Sequence, residues 1–343
     1  MRTSLAVKYR PKTFEEVCDQ KITVQILKKL VENRAFKNAY LFAGDSGCGK
    51  TTLARIFANA INRGEGSPIE IDGAAIAGEG SDAIRAVIED ANKRSLDSEY
   101  KIYIIDECHI FHKNAWASFL KSLEEPAPYT IYMLCTTEPN KVPEAILNRV
   151  QRYNITKVNA ETIKNRLVYI CQNEGFTNYE KACDLISKTC AGSVRDAITS
   201  LEKCADYSKD LSLDNVKLIL QNLSYEALFA LTWALQDKDE GKVLQVIENL
   251  YMSGTDLKSF VEDYLDLSLN LTKFALFKNI KATSIPGYLA TDENPVVQET
   301  VKISSIAWFN NLTNTLLELK AVSRYDNSFK STLEATLLKF CRG

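Results

Sequence analysis

The chain has little of what marks a disulfide scaffold, a metal protein or a membrane protein. Its nine cysteines, Cys18, Cys48, Cys108, Cys135, Cys171, Cys183, Cys190, Cys204 and Cys341, contain no CxxC pair, and their number is odd. Most fall inside apolar runs, so they read as reduced core thiols. Histidine is limited to two residues, His109 and His112. Their His-x-x-His spacing beside Cys108 lacks a second ligand pair, short of the four ligands of a structural zinc site. They read as helix-start residues, and no zinc is expected. No run approaches the roughly 18 apolar residues of a membrane span, and MRTSLAVKYRPKTF at the start has no apolar signal core. A cytoplasmic protein without membrane contact is expected. Net charge is only −2, which excludes a global basic field. Contact with DNA would need a local patch or a surface shared within an assembly. Internal repeats and low-complexity tracts are also missing, and no long tail is expected at either end.

The 343 residues, 45% hydrophobic and 25% charged, suffice for two or three domains with sizeable cores. In the first half, short apolar runs alternate with helical patterns. NAYLFA (38–43), SPIEIDG (67–73), KIYIIDE (101–107), TIYMLCTTE (130–138) and VQRYNIT (150–156) read as strands. Helices are expected over 51–61, 81–93 and 113–125, the last stopped by Pro126. This alternation predicts an α/β fold with a parallel sheet. After about residue 157 the strand signal fades. A small helical group is expected over 158–221. A second helical region is expected over 222–343, broken by a looser stretch near SIPGYLATDENP.

The chemistry lies in the first region. Gly44-Asp45-Ser46-Gly47-Cys48-Gly49-Lys50-Thr51, followed by Thr52, fits GxxxxGK[ST] between a strand and a helix. Glycines there let backbone N–H groups turn inward around phosphate oxygens, and the helix N-terminus points at them. Lys50 would reach the β- and γ-phosphates, and the Thr51 hydroxyl would ligate Mg²⁺. IYIIDECH supplies a partner: Asp106 at a strand tip would hold the magnesium, and Glu107 would deprotonate an attacking water, as an NTPase requires. Thr137, at the end of the fourth strand, would face Asp106 if those strands are neighbours; otherwise it is a turn residue. Arg149 and Arg195, taken alone, are surface charges.

The order and spacing of LAVKYRPKTFEEV, NAYLFAGDSGCGKTTLARIFANAIN, IYIIDECHIFHKNAWASFLKSLEEPAP, LCTTEPNKVPEAILNRVQRYNI and GSVRDAITSLEKC resemble the clamp-loader AAA+ ATPases. The gamma/tau subunit of bacterial DNA polymerase III is the nearer kind, and replication factor C subunits the more distant. The resemblance is strong over residues 1–205 and weaker beyond. It implies an AAA+ P-loop core with a five-stranded parallel sheet (1–157), a helical lid (158–221) and an all-α collar (222–343). It further implies ATP and Mg²⁺ as cofactors. Tyr9, Arg10 and Pro11 would line the adenine pocket, Thr137 would be the first sensor and Arg195 the second. Arg149 would be a finger acting on a neighbour's ATP. Partners would be other loader subunits in a pentameric ring, a sliding clamp and primed-template DNA, with Ser81, Arg85 and Lys113 as DNA-contact candidates. The family's Ser-Arg-Cys reads Asn148-Arg149-Val150 here. The family carries a four-cysteine zinc module after the first helix, whereas here INRGEGSPIEIDGA passes directly to the next strand with no cysteine, and a form without the family's C-terminal tail is expected. A compact version of this kind would suit a phage-encoded or otherwise divergent loader in a bacterial cell. The alternatives are another AAA+ machine, such as a branch-migration helicase or a protein remodeller, and a non-hydrolysing scaffold subunit. A winged-helix C-terminus would mark the helicase. A degraded site would mark the scaffold, whereas Lys50, Asp106, Glu107 and Arg195 are all present.

Overall fold

Five short strands carry the first part of the fold: β1 (Ala39–Ala43), β2 (Ile69–Asp72), β3 (Lys101–Asp106), β4 (Thr130–Thr136) and β5 (Gln151–Asn154). In the computed structural model, which describes residues 3–75, 81–220, 225–285, 287–291, 295–323, 326 and 328–343, they form one sheet in the order β2-β3-β4-β1-β5. Every pairing is parallel. All five strands therefore deliver their C-terminal ends to one edge, where ligands of open α/β sheets bind.

Side-chain alternation explains how helices cover both faces. Tyr40, Phe42, Ile102, Ile104, Ile131 and Met133 point to one side, where Leu53, Phe57 and Ile61 pack on them. Leu41, Tyr103, Ile105, Tyr132 and Leu134 point to the other, against Trp116, Phe119, Ile84 and Ile146. Strands buried on both faces read as continuous apolar runs, which is the pattern of AYLFA and IYII. Phe57 is fully buried and meets Tyr40 edge-on at 5.1 Å; truncating such a residue to alanine typically costs about 3–5 kcal/mol.

The helices are α1 (Leu5–Lys8), α2 (Lys21–Glu32), α3 (Lys50–Ile61), α4 (Ser81–Ala91), α5 (Lys113–Glu124) and α6 (Glu144–Leu147). They are followed by α7 (Ala160–Glu174), α8 (Glu180–Thr189), α9 (Val194–Tyr207) and α10 (Leu213–Leu220). Next come α11 (Tyr225–Gln236), α12 (Glu240–Met252), α13 (Leu257–Phe277), α14 (Val296–Ile303), α15 (Ile306–Ser323) and α16 (Phe329–Arg342). The looser stretch of the sequence contains the 3-10 turn Gly287–Ala290, follows another at Ile280–Ala282, and falls partly outside the described residues. Among the described residues no helix is long and apolar enough to cross a membrane.

Contacts divide the chain into two compact units, Met1–Asn173 with Cys190–Glu202, and Glu174–Thr189 with Lys203–Gly343. The second has its own core, built by α11 to α16 around Phe229, Phe260, Tyr264 and Phe309. Helix starts there are set by acidic caps. Asp239 accepts from the Lys242 N–H at 3.0 Å, and Asp256 accepts from the Lys258 and Ser259 N–H groups at 3.1 and 3.3 Å. Such caps are worth roughly 1 kcal/mol each. Tyr264 is enclosed in this core, and the Thr232 hydroxyl donates to its oxygen at 3.1 Å, so its one polar atom is not stranded.

Candidate nucleotide-binding site

The loop between β1 and α3 is shaped by close backbone approach. A Cβ at Gly44 would lie 2.2 Å from the Ile155 carbonyl oxygen, and one at Gly47 would lie 1.9 Å from Ser193 Oγ. Gly47 and Gly49 have φ of +71° and +101°, the left-handed region that glycine enters without strain. Gly49 is thus the N-cap residue of α3, which starts at Lys50, one position earlier than the sequence pattern suggests. Lys50 is buried, and its ammonium donates to the Asp45 carbonyl at 2.9 Å. This bond folds the lysine back along its own loop. The Cys48 thiol donates to the same carbonyl and is pushed up from its ordinary pKa by burial.

β3 lies beside β4, and β4 beside β1. That order brings three strand ends together. Thr51 Oγ1 donates to Asp106 Oδ2 at 2.8 Å, although 55 positions separate them. Glu107 follows in the left-handed region at φ +47°, unusual for a side chain of that size. Its N–H donates to Asp106 Oδ1 at 3.1 Å. Its Oε2 accepts from the Thr137 hydroxyl at 3.0 Å and from the Thr137 N–H at 3.3 Å. The strand expected to run to residue 138 stops at Thr136 because the Thr137 N–H turns to this carboxylate instead of the ladder.

These residues border a cavity of about 380 Å³. Ser46, Gly47, Cys48, Gly49, Lys50, Thr51 and Thr52 form one wall, with Asp106 and Glu107 beside them. Tyr9, Arg10, Pro11, Val17 and Cys18 form another. Val194, Arg195 and Ile198 on α9 and Arg166 on α7 form a third, with Ala6, Leu53 and Arg55 also on the lining. Val17, Cys18, Arg166 and Ile198 were not legible as site residues. Arg166 donates to the Tyr9 carbonyl at 2.6 Å across 157 positions, a contact no local pattern announces. Burial raises the Cys18 thiol, against the opposing charge of Arg166. Asp19 and Gln20, at φ +55° and +56°, pin this wall. Asp19 accepts from the Asn159 N–H at 3.0 Å and the Thr162 hydroxyl at 3.1 Å, and the Gln20 amide donates to the Thr156 carbonyl at 2.6 Å.

Gly44 and Asp45 stand behind the loop rather than on the cavity wall, and Thr137 acts on the wall through Glu107. Arg149 lies away from the cavity. Its guanidinium donates to the Ala145 carbonyl at 2.8 Å and to Glu124 at 2.7 Å. Arg85 and Lys113 are exposed, on α4 and at the first position of α5. Ser81 opens α4, and its side chain lies outside the described residues. Among the described residues no three His, Cys, Asp or Glu side chains cluster as a metal site.

The donor set fits a magnesium nucleotide: a hydroxyl and a carboxylate in contact, a lysine at the loop, and glycines that leave room for phosphate oxygens. The same region has known relatives. Residues 65–159 match the family described as DNA polymerase III, delta subunit. The DNA polymerase III subunit tau of Bacillus subtilis is 31% identical over 280 residues, 75% of this chain and 49% of that one. The chain is of the clamp-loader AAA+ type and resembles the gamma/tau subunit of bacterial DNA polymerase III. The delta family match spans less than a third of this clamp-loader chain, whereas the likeness to tau spans three quarters, so the tau likeness decides the nearer kind. The gamma/tau subunit of Mycoplasma genitalium is 28% identical over 80% of this chain and 49% of its own. The clamp-loader chain thus spans about half the length of the curated relatives it matches. Among solved structures, the Thermotoga maritima RuvB Holliday junction branch migration motor superposes with a TM-score of 0.51 at 18% identity, covering 65% of this chain and 79% of that one. At that identity the likeness is one of AAA+ fold.

Proposed function

We propose that this chain is an ATPase motor subunit of a sliding-clamp loader, one that uses ATP binding and hydrolysis to open a clamp and place it on primed-template DNA. The observation that carries the reading is the 2.8 Å contact between Thr51 and Asp106 on the wall of a cavity that also holds Lys50, Glu107 and Arg195. A scaffold subunit would have no use for that set. Sequence likeness to tau over most of the chain favours the loader over a branch-migration motor, with which only the fold is shared.

Each residue takes a role from its position. Backbone N–H groups of residues 46–51 and the start of α3 bind the phosphates. Lys50 leaves the Asp45 carbonyl for the β- and γ-phosphates when nucleotide enters. Thr51 and Asp106 would hold Mg²⁺, whose charge stabilises the transferring phosphoryl group. Glu107 takes the proton of the attacking water. Arg195 reaches the γ-phosphate from α9. Tyr9, Arg10 and Pro11 enclose the base. Arg149 serves a neighbour in a pentameric ring, and Ser81, Arg85 and Lys113 face DNA phosphates, where helix starts and cations position a backbone without reading sequence.

Steady-state ATP hydrolysis with no DNA, single-stranded DNA, blunt duplex, primed template and a four-way junction tests this. Selective stimulation by primed template, enlarged by adding a clamp, is expected. Stimulation by the junction alone would overturn the loader reading in favour of branch migration.

A further inference from the structure

We propose, resting on the reading of Glu107 as general base, that His109 is a positioning residue that holds the Glu107 carboxylate for attack. His109 sits in the 3-10 turn Cys108–Ile110 directly after the Asp106-Glu107 strand end. Its side chain is 11% exposed. Nδ1 lies 3.2 Å from Glu107 Oε2 and 3.1 Å from Thr136 Oγ1, and Nε2 lies 3.2 Å from Glu138 Oε1. Glu138 in turn pairs with Lys141 at 2.8 Å, and its N–H donates to Thr136 Oγ1 at 3.0 Å. The ring is thus wedged between two carboxylates on two different strand ends.

Carboxylates only accept. The ring nitrogens are the polar atoms set against them: Nδ1 lies beside Glu107 Oε2 and is hydrogen-bonded with the Thr136 hydroxyl, and Nε2 lies beside Glu138 Oε1. Glu107 Oε2 accepts from the Thr137 N–H and the Thr137 hydroxyl, and His109 Nδ1 lies 3.2 Å from the same oxygen. Oε1 has no partner among the described residues. One oxygen is anchored and the other keeps its lone pairs for a water. A general base works only within hydrogen-bond reach of its proton, and a carboxylate fixed by one oxygen from both sides has little freedom to swing out of reach. Without the imidazole, Glu107 would be held by Thr137 alone, from one side.

The test uses the full chain in the assembly that hydrolyses ATP, with kcat, KM, nucleotide affinity and melting temperature read in parallel. His109→Ala is expected to lower kcat by about 10-fold or more, with affinity for a fluorescent ATP analogue changed by less than about 2-fold. His109→Asn places an amide N–H near the Nδ1 position and is expected to recover most of that loss. His109→Ala added to Glu107→Gln is expected to cause no further loss, because the two act as a unit. An undiminished kcat in His109→Ala, a loss equally large in His109→Asn, or a full further loss on the Glu107→Gln background would each overturn the assignment. An inactive Glu107→Gln beside a fully active His109→Ala sinks the positioning role and leaves the base in place. A fully active Glu107→Gln removes the base itself.

Discussion

Arg149→Ala in the assembled ring is expected to bind ATP nearly as the unaltered chain does and to hydrolyse it about 10³–10⁵ times more slowly, the usual worth of an arginine finger. The geometry behind this is the distance of Arg149 from its own cavity. It follows α6, precedes β5, and is occupied by Glu124 and the Ala145 carbonyl. The Glu124 pair is exposed on both sides, with side chains at 38% and 47%. Pairs of that kind contribute about 0–1 kcal/mol, so Glu124 can release the guanidinium to a stronger anion at little cost. A charge that cannot serve its own site but is cheaply freed at the surface suits a neighbour's phosphate. Mixing tests this directly. Rings assembled from Arg149→Ala chains and Lys50→Ala chains should show partial turnover wherever an intact site meets an intact arginine. Turnover unaffected by Arg149→Ala in any mixture would exclude action in trans.

Glu107→Gln is expected to bind ATP with unaltered affinity and to lose about 10²–10⁴-fold in turnover, the range of one general base. The amide keeps the shape of the carboxylate and can still accept from the Thr137 N–H and hydroxyl. It lacks the basicity to take a proton. Lys50, Thr51 and Asp106 are untouched, so binding and chemistry should separate cleanly. Equilibrium binding followed by single-turnover hydrolysis measures both, and unchanged hydrolysis would remove Glu107 from the mechanism.

The five strands, their parallel sense and the helices between them were legible because each is written in contiguous residues. So were the glycine loop between β1 and α3 and the Asp106-Glu107 strand end, each of which is written in contiguous residues. The pairing of Thr137 with Glu107 needed one further fact, that β4 lies beside β3, and no local pattern carries strand order. Arg166 at the Tyr9 carbonyl, Cys18 on the cavity wall and Glu124 beside Arg149 were invisible for the same reason. Each contact joins residues 25 to 157 positions apart. His109 was read as a helix-start residue, and it does sit in a 3-10 turn; that its ring lies between Glu107 and Glu138 depends on strand order and was not readable. The small offsets at element ends have local causes. Glu125 leaves the helix at φ −123° because Pro126 follows it.

The distribution of thiols makes the cavity readable by chemical footprinting. Seven of the nine cysteines are buried, and Cys18 and Cys190 are the half-buried ones. Of these two, Cys18 lines the candidate nucleotide cavity. Its thiol is raised by desolvation, so a thiol-specific alkylating reagent meets few thiolates there at neutral pH and modification proceeds slowly. A slow reaction at a cavity wall is one that an occupant can shield. Cys190 then serves as the internal reference in the same peptide digest, and the ratio of label at the two positions becomes a built-in occupancy gauge that needs no engineered residue.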